Sequence, residues 1–428
     1  MKITIHRGKD QIGGCITEIE SESGSRIIID LGHNLPKGDK ESEDKYASNE
    51  AVAKLTEGVN DIFYTHNHGD HVELFQFVPE GKNQYIGPLA LKMMRQRYKY
   101  MSYVEKWRLD CEYKLEKLAK FKTYRVARPI TVGDIKVTPF AVSHSATDSY
   151  MLVVECDGKR VLHTGDFREH GYTGGKLIDV IEKYGIAGNI DVLITEGTNI
   201  GQADKRVRPE AEVQEEMLQV MKKYKNVFIL SSSADADRLE SIWSANKRRR
   251  NRPFVCDGYQ KLVMASIAET RKVMGQYYQF DDNKVYPYSS KNKTLVNWMK
   301  HKGFTMMIRR TDTFQGYLDE ILPWCKPEET CLIYSQFKGY IIQSHEAFCD
   351  KTKAFVDQFP HFKYAHTSSH ASKETLEKVC NAVNPKAAII PIHKTAWADF
   401  KSLDISEDLK NKVVENTINI EGIHIEIY

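Results

Sequence analysis

Short runs of aliphatic and β-branched residues, separated by glycine and polar turns, dominate the first 200 residues of the chain. ITIH at 3–6, CITEIE at 15–20 and RIIID at 26–30 have the length and alternation of consecutive strands. DIFYT at 61–65 predicts a fourth strand, with a helix after it. Residues 89–122 break the rhythm: they contain neither Pro nor Gly, and their pattern predicts one or two long helices. Strands resume at 135–142, 150–156, 160–163 and 191–197.

From 201 to 365 the texture changes. RPEAEVQEEMLQVMKKY predicts a helix with Pro209 near its start, and NVFILSSSA a buried strand running into a hydroxyl-rich loop. ADRLESIWSANKRRR then predicts a helix and PFVCDG a strand. That alternation implies a parallel sheet covered by helices. Beyond it lie a helix at 373–383, the strand AAIIPIH at 387–393 and a β segment at 417–427. The expected organisation is one domain begun by residues 1–200, interrupted by a second at 201–365, and completed by 366–428.

Composition narrows the class. Hydrophobic residues make up 41% and charged residues 28%, as in an ordinary globular protein, and 428 residues allow two sizeable cores. A net charge of +3 gives no global field toward nucleic acid or membrane, so an anionic partner must be met locally. The eight cysteines form no C-x-x-C pair and are expected as reduced, buried thiols. The first residues lack the apolar core of a signal peptide, and no apolar run approaches membrane-spanning length, which places the chain in the cytoplasm.

The chemistry concentrates in T-H-N-H-G-D-H at 65–71. H-x-H-x-D-H would arise by chance in a chain of this composition roughly once in a thousand. In an extended segment residues i and i+2 point the same way, so His66 and His68 can share one metal. Gly69 is expected to make a tight turn, from which Asp70 and His71 leave in another direction toward a second metal. His144, Asp166 and His393 stand where predicted strands end and are candidates to complete a seven-ligand set without cysteine. Imidazole and carboxylate donors suit two divalent ions, Zn²⁺ foremost and Mn²⁺ as the alternative.

H-x-H-x-D-H, then a lone His, then T-G-D, all after I-I-D-L-G at 28–32, resembles the metallo-β-lactamase superfamily. The resemblance implies an αββα sandwich in which His66, His68 and His144 hold one metal, Asp70, His71 and His393 the other, and Asp166 bridges them. It makes Asp30 a support for the ligand loop. Glu196 in TEGT, His370 in HTSSHAS and His393 in PIH, flanking an inserted α/β domain, resemble the β-CASP nucleases, and most closely the ribonuclease J type. By that resemblance a two-metal-activated hydroxide attacks a phosphodiester of single-stranded RNA, exo- or endonucleolytically. His370 would be the general acid and Glu196 its orienting partner, with Asp70 also at the reacting centre. Ser232, Ser233, Ser369 and the backbone N–H of Ala371 would hold a terminal phosphate.

The resemblance is imperfect. Ser369 replaces the family's usual glycine, and Lys394-Thr395 replaces Gly-Glu after the last His. A DNA-directed nuclease, a small-molecule hydrolase of lactones, thioesters or cyclic nucleotides, and an inactive binding subunit are the competing readings. The oligomeric state stays open, a dimer included. Two further features await the structure. The basic run KRRRNR at 247–252 is expected as a solvated helix end, and the aromatics and cations of 89–122 as an amphipathic helix with core aromatics.

Overall fold

A computed structural model of the chain describes residues 1–40, 42–201, 207–270 and 277–428. Its strands, in chain order, are β1 (Lys2–Arg7), β2 (Ile16–Glu20), β3 (Arg26–Ile29), β4 (Asp61–Phe63), β5 (Asn83–Ile86), β6 (Lys122–Thr123), β7 (Ile130–Val132), β8 (Ile135–Val142), β9 (Ser149–Cys156), β10 (Lys159–His163) and β11 (Val192–Glu196). There follow β12 (Asn226–Ser231), β13 (Phe254–Cys256), β14 (Val285–Pro287), β15 (Phe304–Ile308), β16 (Thr330–Ser335), β17 (Phe362–Tyr364), β18 (Ala388–Ile392), β19 (Ile418–Ile420) and β20 (Ile423–Ile427). They fall into two compact units. One comprises Met1–Leu35, Ser42–Arg206 and Ser369–Tyr428; the other comprises Pro36–Glu41 and Val207–Ser368.

The first unit holds two sheets, ordered β19-β20-β1-β2-β3-β4-β5-β6 and β18-β11-β10-β9-β8-β7. Ile3, Ile5, Ile27, Ile29 and Phe63 of the first sheet meet Val137, Leu152, Val154, Val192 and Ile194 of the second in one fully buried core. The outer face of the first sheet is covered by Leu91, Met94, Cys111 and Leu118 from helices Pro88–Met101 and Arg108–Ala119. That of the second is covered by Leu376, Val379 and Val383 of helix Lys373–Val383, with Leu177 and Ile181 of helix Leu177–Lys183. Helices outside and sheets inside make the αββα sandwich. Because both faces of the second sheet are covered, β9 is buried almost throughout instead of alternating.

Sheet direction positions the site. β8 and β10 are both antiparallel to β9, and β10 is parallel to β11, which is parallel to β18. The carboxyl ends of β8, β10, β11 and β18 therefore lie along one edge, which is where His144, Asp166, Glu196 and His393 stand.

The second unit is a six-stranded sheet, β14-β13-β15-β12-β16-β17, in which every pairing is parallel. Its core includes Phe228, Leu230, Phe304, Met306, Leu332 and Tyr334. The run 247–252 is partly absorbed into this unit rather than left in solvent. Arg249 is buried and donates to the carbonyls of Tyr224, Lys225 and Phe304 and to Thr305 Oγ1, while Arg252 donates to the Lys225 carbonyl. The guanidinium's planar fork of donors suits it to gathering several carbonyls at a sheet edge.

Candidate metal centre

β4 ends at Phe63, the chain bends at Thr65 and Asn67, and His68 is extended, with φ and ψ of −70° and 146°. A single helical turn, Gly69–Val72, follows. It is this turn, not a special glycine conformation, that redirects the chain. Gly69 has no positive φ, and a Cβ there would meet only ordinary van der Waals contact. His66 and His68 precede the helical turn and Asp70 and His71 lie within it, and the His66 ring stands near both His68 and His71, at 4.8 and 4.1 Å between centroids.

The nitrogens of His66, His68 and His144 lie within 4.8 Å of one another, with His144 Nε2 3.2 Å from His68 Nδ1. Asp70 Oδ2 is 3.3 Å from His393 Nε2 and 3.9 Å from His71 Nε2. Asp166 Oδ2 stands between the two groups. It is 3.9 Å from His66 Nε2, 3.7 Å from His144 Nε2, 3.1 Å from His71 Nε2 and 3.5 Å from His393 Nε2. The structure thus brings all seven sequence-predicted ligands together.

The partners behind these rings decide which nitrogens face inward. Asp30 accepts from the backbone N–H and hydroxyl of Thr65 at 2.7 and 2.8 Å and takes His71 Nδ1 at 2.8 Å. His66 Nδ1 meets Thr65 Oγ1 at 3.0 Å, and His144 Nδ1 meets the Ser369 carbonyl at 2.8 Å. His393 Nδ1 meets Thr198 Oγ1 at 2.7 Å. Each outward nitrogen so occupied leaves the inward one to present a lone pair. Two ligand-set features carry backbone strain: Asp30 and His393 both have positive φ, 61° and 51°.

The donors fit divalent cations. His66 Nε2 is buried and hydrogen-bonds nothing among the described residues; a buried polar atom left without a partner is costly unless something else satisfies it. Burial, then neighbouring imidazoles, keep His66 and His144 well below the ordinary histidine value, and burial pushes His68 down to about 4. All three are therefore neutral, the form that binds metal. His71 is the exception: burial opposes its charge, but Asp166 and Asp30 outweigh it and raise it well above the usual range. Asp70 and Asp166 are held below the ordinary carboxylate range by the surrounding histidines despite burial. Two ionised carboxylates among imidazoles call for positive charge.

Beside this cluster, His370 Nδ1 lies 3.1 Å from Glu196 Oε2, 3.2 Å from Thr198 Oγ1 and 3.7 Å from Asp166 Oδ2. Glu196 is buried at the end of β11, and its Oε1 accepts from the backbone N–H groups of Phe167 and Ala371 at 3.0 and 3.2 Å. Burial disfavours a charged His370, but Glu196 and Asp166 overcome it and raise the ring to about 9.

The four residues expected at a terminal phosphate each have a partner in the structure. The Ala371 N–H donates to Glu196, and the residue is fully buried. Ser369 contributes its carbonyl to His144. Ser232 and Ser233 lie in the other unit. Ser232 Oγ accepts from the Ala234 N–H and Ser233 Oγ from Arg309, both at 3.4 Å, while Asp235 caps the helix Ala236–Lys247. Thr198 and Thr65 are the residues sequence reading passed over; a hydroxyl that bridges two rings, as in Thr198, or a ring and a carboxylate, as in Thr65, has no spacing signature. Cys15, expected only as a reduced, buried thiol, stands beside the cluster. Its buried thiol lies within 4.8 Å of a ring nitrogen of both His71 and His393, and burial holds it well above the usual thiol range. All eight cysteines are buried and unpaired.

Residues 29–229 match a family profile described as a β-lactamase superfamily domain. In that segment the chain is similar to the β-lactamase superfamily, and along most of its length it is similar to proteins named ribonuclease J. Over 417 residues it is 24% identical to ribonuclease J of Helicobacter pylori strain B128, covering 92% of this chain and 56% of that one. It is 25% identical over 264 residues to ribonuclease J of Thermus thermophilus, covering 58% of this chain and 43% of that one. The chain thus spans about half the length of the curated relatives it matches. A solved protein of unknown function from Enterococcus faecalis V583 has the same fold, with a TM-score of 0.67 at 17% identity over 94% of this chain and 96% of that one. No helix among the described residues is long and apolar enough to cross a membrane.

Proposed function

We propose that this chain is a divalent-metal-dependent nuclease that hydrolyses phosphodiester bonds of single-stranded RNA. The observation that carries the proposal is the convergence of His66, His68, His144, Asp70, His71 and His393 around Asp166 Oδ2, with the Glu196–His370 pair against the same carboxylate. Ribonuclease J relatives matched over 92% of the chain support RNA as substrate. His66, His68 and His144 would hold one ion, Asp70, His71 and His393 a second, and Asp166 both; zinc suits this donor set best. When bound, such ions supply Lewis acidity and a water nucleophile available at neutral pH.

The chain's own residues do the rest. Asp30, Thr65, Thr198 and the Ser369 carbonyl lock ring orientation, so the ligands need no rearrangement when substrate arrives. His370, protonated at neutral pH, gives its proton to the departing 3′-oxygen, which otherwise leaves as a poor alkoxide. Glu196 holds His370 through Nδ1, so the proton is delivered from Nε2.

The test is direct. Metal-loaded protein is incubated with 5′-phosphorylated and 5′-hydroxyl oligonucleotides of RNA and of DNA, beside an Asp70→Ala variant. The proposal expects cleavage of RNA by the wild type and none by the variant. Cleavage of DNA alone, or of no oligonucleotide at normal metal content, contradicts it. Mononucleotides released only from 5′-phosphorylated RNA identify a 5′-exonuclease.

A further inference from the structure

The helices Pro88–Met101 and Arg108–Ala119 are joined by a tip whose residues 103–110 are all exposed. Sequence pattern predicted core aromatics here, and Tyr98 is one, at 2% exposure. The tip is different. Tyr103 is 74% exposed and Trp107 45%, with Val104 and Leu109 beside them. Large apolar side chains grouped on a surface mark a binding site more often than chance.

Charge says what kind. Residues 88–122 contain ten basic and four acidic residues, a net +6, which exceeds the +3 of the whole chain. Lys114 and Lys117 are spent on Glu73, Asp110 and Glu80 at the root. Lys99 and Lys106 near the tip enter no ion pair among the described residues, and Lys106 Nζ lies 5.1 Å over the Trp107 ring. A second copy of this surface would meet its own positive charge, whereas a polyanion would not. Flat rings interleaved with unpaired cations are what a single strand needs: bases stack on the rings and phosphates meet the cations.

The root ties the tip to the metal loop. Tyr98 donates its hydroxyl to the Glu73 carboxylate at 2.9 Å, and Tyr113 donates to the Gln76 carbonyl at 3.0 Å. Glu73 and Gln76 belong to the turn Glu73–Phe77 that directly follows Asp70 and His71. The tip begins about one helical turn beyond Tyr98.

We infer that Tyr103 and Trp107, with Lys99 and Lys106, form a stacking platform that grips single-stranded nucleic acid beyond the bond being cut. This inference rests on the nuclease reading for its purpose, and binding by the metal-free protein separates the two. Anisotropy of a fluorescein-labelled 20-mer RNA is titrated with metal-free full-length protein. Tyr103→Ala/Trp107→Ala is expected to raise Kd about tenfold or more. Tyr103→Phe/Trp107→Phe, which keeps two rings, should restore most of the affinity. Lys99→Gln/Lys106→Gln should reduce the salt dependence of log K by about 1 to 2. Hydrolysis of bis(p-nitrophenyl) phosphate by the metal-loaded alanine variant should equal that of wild type. Unchanged RNA affinity in the alanine variant overturns the inference. So does ring-dependent binding to vesicles of phosphatidylserine and phosphatidylcholine without binding to RNA. Ring-dependent RNA binding by a protein that cleaves no oligonucleotide would sustain the platform and sink the nuclease.

Discussion

Glu196 divides its two oxygens between two tasks: Oε1 takes backbone N–H groups from Phe167 and Ala371, and Oε2 takes the His370 ring. The first fixes the carboxylate, and the second keeps His370 charged. His370 is raised to about 9, so its proton is present at neutral pH and is lost as pH rises through that value. Activity should therefore fall on the alkaline side. Glu196→Gln removes the largest raising influence, so that limb should move to lower pH in a kcat–pH profile; a limb that does not move argues against the pairing. His370→Ala should lower kcat by about 10²–10⁴-fold with metal content unchanged, checked by elemental analysis of the same sample. Asp30 acts one step further out. Asp30→Ala frees His71 Nδ1 and the Thr65 N–H, and should weaken metal affinity by about 10–100-fold in a competition titration.

At the level of elements, the metal loop is held by close backbone approach. Leu31 N–H donates to the His71 carbonyl, His33 N–H to Gly69 and Cys15 N–H to Asp70. A Cβ at Gly32 would fall 1.7 Å from the Asp70 carbonyl oxygen, which no side-chain movement can relieve. Gly32→Ala should therefore lower Tm by roughly 5–10 °C and reduce metal affinity together, read by calorimetry with and without added zinc. Eight of the eleven strands of the first 200 residues were legible as short β-rich runs between turns, while the short β5, β6 and β7 were not. The ligand cluster was legible because it is contiguous. Lone partners were not: Thr198 reaches His393 and His370 only after β11 and β18 pair, and Ser369 works through a carbonyl that every residue has. Only the fold, likewise, shows that the Ala371 N–H meets Glu196.

At the scale of the molecule, the sandwich class was readable only through the family resemblance that the ordered His and Asp positions carry. The surface role of the helical pair was not, because Tyr98 and Tyr103 look alike in sequence while one is buried and the other is 74% exposed. Seven donors from strands distant in sequence also couple metal to folding. Metal at 100 times its Kd should add about 2.7 kcal/mol of stability, so a chelator should lower the Tm of the wild type but hardly that of Asp166→Ala. The most direct test of the central claim joins metal to cleavage in one titration. Metal-free protein is titrated with zinc while hydrolysis of a 5′-labelled single-stranded RNA is followed. The account predicts that activity appears as zinc approaches two equivalents and that Asp166→Ala shows none at any zinc concentration. RNA cleavage that persists in the chelated protein, or a fully zinc-loaded wild type that leaves the RNA intact, would contradict it.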